Sequence, residues 1–288
     1  MRVIRGAFDE STLHCEFILG VSFVSFVSFV SLRLYMRIDI NADMGESFGA
    51  YTIGRDSGLM ASITSANVAA GFHAGDPSVL RETIRLAKAR GVAVGAHPGF
   101  PDLVGFGRRE LNVTPKEAED MVLYQVAAVA GVAGAEGVKI QHVKPHGALF
   151  NMAVRNAELS AAIARAVAAF DSSLILFGLP GSEILNAGRA DGLRVAAEVF
   201  ADRAYEPDGS LASRRKPGSV IHDAAAVVAR AIRMVKEHTV VAIDGSVVAL
   251  EADTICVHGD TPGSDELAAR IRAGLETAGV TVKAIGQP

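Results

Sequence analysis

Residues 63–100 read ITSANVAAGFHAGDPSVLRETIRLAKARGVAVGAHPGF. An apolar run, Ala66–Ala70, leads to Asp76-Pro77, a helix-start signal, and a helical pattern then runs to Arg90 and stops at Gly91. A second apolar run follows at Val92–Gly95. Strand, helix and strand in this order predict a parallel sheet with its helices outside.

The same alternation extends outward in both directions. Further apolar runs lie at Arg37–Ile40, Val138–Val143, Ser173–Gly178, Leu193–Val199, Thr239–Ile243 and Thr254–Val257. Thr114-Pro115-Lys116-Glu117 is a capping signature that opens a helix to about Ala135. Asn156–Phe170, Asp223–Glu237 and Pro262–Ala278 carry helical patterns too. No Ser/Gly linker or charge block divides residues 36–288, so they are expected to form a single catalytic domain. Its fold class is α/β: a closed or distorted (β/α) barrel, with a doubly wound open sheet as the alternative.

Composition narrows the function. The 288 residues carry 28 basic and 32 acidic side chains, a net charge of −4, which argues against a nucleic-acid partner. Half of the residues are hydrophobic and 21% are charged, enough to bury a sizeable core. Two cysteines, Cys15 and Cys256, exclude a disulfide scaffold and a Cys-based zinc finger, and a reducing cytoplasm is the simplest compartment.

Residues 1–35 differ from the rest. The stretch 17–32, FILGVSFVSFVSFVSL, repeats Ser-Phe-Val three times without a charge. It is short for a membrane span, and the acidic residues Asp9, Glu10 and Glu16 before it do not suit a signal peptide. An extension outside the fold, with Met36 as the working start, is the preferred reading over an export signal, an added strand or an interaction tail. The remaining length, roughly 250 residues, is that of a (β/α) barrel. No membrane partner is expected.

Polar, Gly-rich segments follow the predicted strands. They hold Asn41, Asp43 and Glu46; Asn67 and His73; His97 and Arg109; His142, Lys144 and His146; Asp202 and Arg203; and His258 and Asp260. Five of the eight histidines sit in these segments. In a barrel the loops after the strands share one face and build the active site. There is no Gly-x-Ser-x-Gly elbow and no Walker-type phosphate loop. Carboxylates, imidazoles, a lysine and arginines suit water activation and oxyanion stabilisation. Asp43, His73, His97 and His258 are also ligand types for zinc or another divalent ion, although no short spacing such as H-E-x-x-H accompanies them. Cys256 reads as a buried strand residue, with a nucleophile as the alternative, and Arg214-Arg215 as a solvated loop, with phosphate binding as the alternative.

The strings DINADMGESFG (39–49), ITSANVAAGFHAGDP (63–77), GVAVGAHPGFPDLVGFGRR (91–109), HVKPHGALFN (142–151), EVFADRAYEPDGSLASRRKPGSVI (198–221) and DTICVHGDTPG (253–263) closely resemble the LamB/YcsF family, described as the A subunit of 5-oxoprolinase. Ala70 departs from it, standing where the family usually has Cys. The resemblance implies a distorted (β/α) barrel of the glycoside hydrolase/deacetylase type. It implies ATP-dependent hydrolysis of 5-oxo-L-proline to L-glutamate, with ATP as co-substrate and the companion subunits B and C as partners. A metal-dependent deacetylase or polysaccharide hydrolase on the same barrel is the alternative. On the leading reading, Asp43 or Glu46 is the general base. His73, His97 and His142 position water, relay protons or bind metal. Lys144 and Arg109 neutralise a carboxylate or phosphate, and His146 or His258 protonates the departing nitrogen. Asn41, Asn67, Asp202, Arg203 and Asp260 complete the expected substrate site.

Overall fold

The computed structural model describes residues 36–257, 259 and 263–286. The expected extension at residues 1–35, and the candidates His258 and Asp260, lie outside the described residues. In chain order the elements are β1 (Arg37–Met44), α1 (Asp56–Leu59), β2 (Ser65–Ala69), α2 (Pro77–Arg90), β3 (Ala93–His97) and α3 (Pro115–Ala135). Next come β4 (His142–Val143), α4 (Gly147–Ala153), α5 (Ala157–Phe170), β5 (Ile175–Gly178), α6 (Glu183–Ala190) and β6 (Arg194–Val199). The chain continues through α7 (Ala224–Glu237), β7 (Thr239–Val241), β8 (Val247–Ala249), β9 (Thr254–Val257), α8 (Ser264–Thr277) and β10 (Thr281–Val282).

Seven parallel strands close on themselves in the order β1-β2-β3-β4-β5-β6-β9, because β9 pairs with β1 as well as β6. The closure makes the fold a distorted (β/α) barrel and removes the open sheet. It also leaves no barrel edge to protect. The short β10 adds to the start of β1, through Arg37 and Ile38.

One apolar run does not join the barrel. Thr239–Ile243 begins with β7, which pairs antiparallel with β8 in a separate hairpin. His238 ends α7 in the left-handed region, with φ +54°, and the turn at Gly245 returns the chain to Val247. The strand's hydrogen bonds are therefore satisfied locally, away from the barrel.

The helix signals act as their chemistry requires. Asp76 caps α2 by accepting from the backbone of Ser78 and Val79, and Gly91 closes it at φ +66°. Thr114 and Glu117 form a complete capping box on α3. Among the described residues, no helix is long and apolar enough to cross a membrane.

Strand alternation separates two environments. On β1, Ile38, Ile40, Ala42 and Met44 are buried in the apolar core. The intervening Asp39, Asn41 and Asp43 meet polar side chains of neighbouring strands. On β2 the split is Ala66 and Val68 against Ser65 and Asn67; on β3 it is Val94 and Ala96 against Gly95 and His97. The polar set forms a hydrogen-bonded network, and the apolar set forms the main core with α2, α3, α5, α7 and α8.

Candidate active site

The network starts at Asp39. Its carboxylate accepts from Thr64 (2.6 Å), Ser65 (2.8 Å) and Thr254 (2.5 Å). Thr254 in turn accepts from Asn41 Nδ2 at 2.7 Å. Asn67 Nδ2 donates to Asn41 Oδ1 (2.7 Å) and to Asp43 Oδ1 (2.9 Å), and His142 Nε2–H donates to Asn67 Oδ1 at 2.8 Å. Asn41 and Asn67 are wholly buried, so both hold other side chains in place. Burial, then the charges of Lys144 and His97, pull His142 down to about 3, and its ring is neutral at ordinary pH.

The His142 ring has room because its register partner on β3 is Gly95; a Cβ on Gly95 would overlap the imidazole. The ring also stacks on Phe177, with centroids 4.4 Å apart.

Lys144 is the buried cation of the site. Its Nζ lies 2.9 Å from Asp43 Oδ1, 2.8 Å from Glu198 Oε1 and 3.0 Å from Cys256 Sγ. Burial alone lowers its pKa, but Asp43 and Glu198 outweigh burial and hold the ammonium well above the ordinary lysine value. Burial likewise favours a neutral Asp43; the His97 ring and the Lys144 ammonium reverse that and keep the carboxyl well below the usual range. The Cys256 thiol is pushed far up by burial and stays protonated. It acts as a packing partner to Lys144 and not as a nucleophile.

Beside this trio stands a cluster of imidazoles. His97 Nδ1–H donates to the Lys144 carbonyl at 2.7 Å, and His146 Nε2–H donates to the Phe106 carbonyl at 2.8 Å. These bonds set both tautomers. The remaining nitrogens, His97 Nε2 and His146 Nδ1, face each other at 2.9 Å. His97 Nε2 also lies 3.3 Å from Asp43 Oδ1. His73 stacks on His146 at 3.8 Å, is 1% exposed and, among the described residues, has no hydrogen bond at either ring nitrogen. Glu46 Oε1 is 3.9 Å from both His73 Nε2 and His146 Nδ1. Burial, then the neighbouring rings, keep His73 well below its ordinary pKa and bring His146 to about 3.

Glu46, His73, His97 and His146 offer ligand atoms all within 4.8 Å of one another. Three imidazoles, one of them a buried His73 whose ring nitrogens have no hydrogen bond among the described residues, and a carboxylate fit a divalent cation such as zinc. Asp43, expected among the ligands, instead gives Oδ1 to Lys144 and Asn67, while Glu46 and His146 join the donor set.

The loop after β3 supports this cluster at a cost in backbone strain. Phe106 has φ +54°, uncommon for an aromatic residue, and its carbonyl is the one that receives the His146 proton. Gly107 follows at φ +61°, and a Cβ there would come within 2.7 Å of His73 and 2.8 Å of His146.

A cavity of about 560 Å³ opens above Asp43, His97, Lys144 and His146. Its lining includes the apolar side chains Phe150, Leu179, Phe200 and Leu211 and several arginines, among them Arg108, Arg214 and Arg215. Glu46, His73 and His142 are buried and are not among its lining residues. Arg109 is not among the lining residues, since Asp102 binds its guanidinium through two nitrogens and is itself lowered to about 2 by that bond. Arg203 lines the cavity but spends its donors on the carbonyls of Ala212 (2.7 Å) and Ser219 (3.3 Å). Asp202 is 9% exposed, and its carbonyl accepts from Ile221.

Glu198 and Arg108 both stand at strand ends in the sequence yet are outside the expected site; Glu198 joins it through Lys144, and Arg108 lines the cavity. Arg214 and Arg215, expected in a solvated loop, are exposed and line the cavity as well.

The LamB/YcsF family model matches residues 38–288. The chain belongs to the LamB/YcsF family. It is 55% identical over 249 residues to the A subunit of 5-oxoprolinase from Tolumonas auensis, covering 86% of this chain and 99% of that protein. A protein of the same name from Thermococcus onnurineus is 53% identical over 252 residues, covering 88% and 99%. The crystal structure of a lactam utilization protein from Thermus thermophilus matches with TM-score 0.83 and 51% identity, over 87% of this chain and all of that one. LamB/YcsF membership thus covers the whole barrel, including every site residue described above.

Proposed function

We propose that this chain is the A component of an ATP-dependent 5-oxoprolinase, opening the lactam ring of 5-oxo-L-proline to give L-glutamate, ADP and phosphate with partner subunits B and C. The observation that carries this reading is the Asp43–Lys144 pair, which lines a cavity shared by apolar side chains and arginines. The apolar side chains suit the ring methylenes, and the cations suit the substrate carboxylate. The relatives' names supply the substrate class.

A lactam is resonance-stabilised and reacts poorly with water. On this reading its oxygen bonds to the terminal phosphorus of ATP and ADP leaves. A water oxygen then bonds to the ring carbon, the C–N bond breaks and its electron pair stays on nitrogen, which takes a proton. The acyl phosphate so formed is hydrolysed by a second water, releasing phosphate and glutamate. Asp43, kept ionised, orients the water at its carboxylate and accepts its proton as the C–O bond forms. Lys144 Nζ neutralises the phosphoryl oxygens carried on the ring carbon's oxygen, in a site where water is scarce and the charge counts for more. Glu198, Asn67 and Asn41 position this pair, and His142 holds Asn67.

Glu46, His73, His97 and His146 would hold a divalent cation, which would polarise a substrate oxygen or acidify a water.

The test is glutamate release from 5-oxoproline, with and without ATP, by the chain alone and with its partners. Glutamate that appears only with ATP and the full set supports the reading; its absence from the full set defeats it. Release of acetate from an acetylated sugar without ATP would favour the deacetylase alternative.

A further inference from the structure

The chain is net −4, yet its cavity wall is strongly cationic. Arg108, Arg155, Arg203, Arg214 and Arg215 line it, and Asp43 is its one carboxylate among the described residues. Two of these arginines build the wall. Arg155 pairs with Asp208 and Ser210, and Arg203 ties the loop after β6 through Ala212 and Ser219. Arg214 and Arg215 differ: among the described residues, no hydrogen bond or ion pair engages either guanidinium. Arg108 lies across the Phe106 ring at 4.9 Å and lines the cavity. Like charges gathered beside one another are unfavourable: Arg203 falls to about 10 through burial and the nearby Arg214. Such crowding is relieved by an anion with several oxygens.

A substrate carboxylate needs one such partner. The cavity, at about 560 Å³, has space for more than a five-membered ring bearing one carboxylate. We propose that Arg108, Arg214 and Arg215 form a phosphoryl-binding subsite in the cavity that the Asp43–Lys144 pair lines. The inference rests on the reading above, in which the substrate oxygen is phosphorylated before the ring opens. The subsite holds that phosphoryl group from lactam to acyl phosphate and then releases it as inorganic phosphate. It thereby assigns the ring-opening half of the reaction to this chain, whatever the origin of the phosphoryl group.

The experiment uses the full chain and three probes: inorganic phosphate, acetylphosphonate as a stable mimic of an acyl phosphate, and a non-hydrolysable ATP analogue. Binding is read by calorimetry, with 5-oxoproline as a separate arm. Acetylphosphonate or phosphate should bind the parent chain, and R214Q and R215Q should each weaken binding roughly 10- to 100-fold, the loss of a hydrogen bond to a charged group. Displacement of acetylphosphonate by the ATP analogue assigns the phosphoryl group to a nucleotide bound here; additive binding assigns it to a phosphorylated substrate. No binding of any phosphoryl probe by the parent chain, or equal binding by R214Q and R215Q, overturns the subsite. If 5-oxoproline still binds in that case, the function stands and only the subsite falls.

Discussion

Gly95 and His142 are register partners on β3 and β4, and the imidazole occupies the space a Gly95 side chain would need. The bond from His142 to Asn67, and through it to Asn41 and Asp43, depends on that gap. Gly95→Ala should cost about 3 kcal/mol, from overpacking plus a broken buried hydrogen bond. Thermal unfolding measures it. A melting temperature equal to the parent's would show that the ring has another place to go.

Lys144 compensates two buried carboxylates. Lys144→Met leaves both without a cation and should destabilise by about 3–5 kcal/mol. Adding Glu198→Gln removes one of the orphaned charges and should recover part of the loss. Urea titration of the single and double variants at unchanged slope reads this directly. A double variant less stable than the single one contradicts the pairing.

His142 titrates in an unfolded chain near the ordinary histidine value of 6.5, and in the fold near about 3. The unfolded chain therefore binds the extra proton between those values. Stability is fully present above about pH 6.5 and falls as pH drops through that window, by about 1.4 kcal/mol per pH unit from this residue. His142→Gln should show a flatter fall between about pH 6 and 4 than the parent in denaturant titrations. Parallel curves would mean that His142 is not held neutral.

The imidazole cluster invites a direct metal test. Cobalt(II) should raise the melting temperature of the parent and develop a visible absorption band, since binding to the folded state stabilises it. His73→Ala should lose both responses. A parent chain indifferent to cobalt and zinc would show that the cluster holds no divalent cation.

Much of this site was legible because the chemistry sits on backbone signals. Asp76-Pro77 and Gly91 mark a helix by capping alone, so β2, α2 and β3 fall where the sequence implies. His73, His97, His142, Lys144 and His146 follow strands, and closure of the barrel brings them to one mouth. The illegible part is what needs distance in three dimensions. Nothing in the string GRR tells which arginine turns to Asp102 and which turns to the cavity. Thr239–Ile243 has strand composition, and only the competing partner Val247–Ala249 removes it from the barrel. Glu198 reads as an oddity until Lys144 arrives from another strand.

The central claim is that the Asp43–Lys144 pair opens the lactam. It is tested most directly by glutamate release from 5-oxoproline by the assembled complex carrying Asp43→Asn, next to the parent complex. The account predicts a loss of turnover of about 10²–10⁴-fold with the barrel still folded. Turnover within about twofold of the parent's would contradict it.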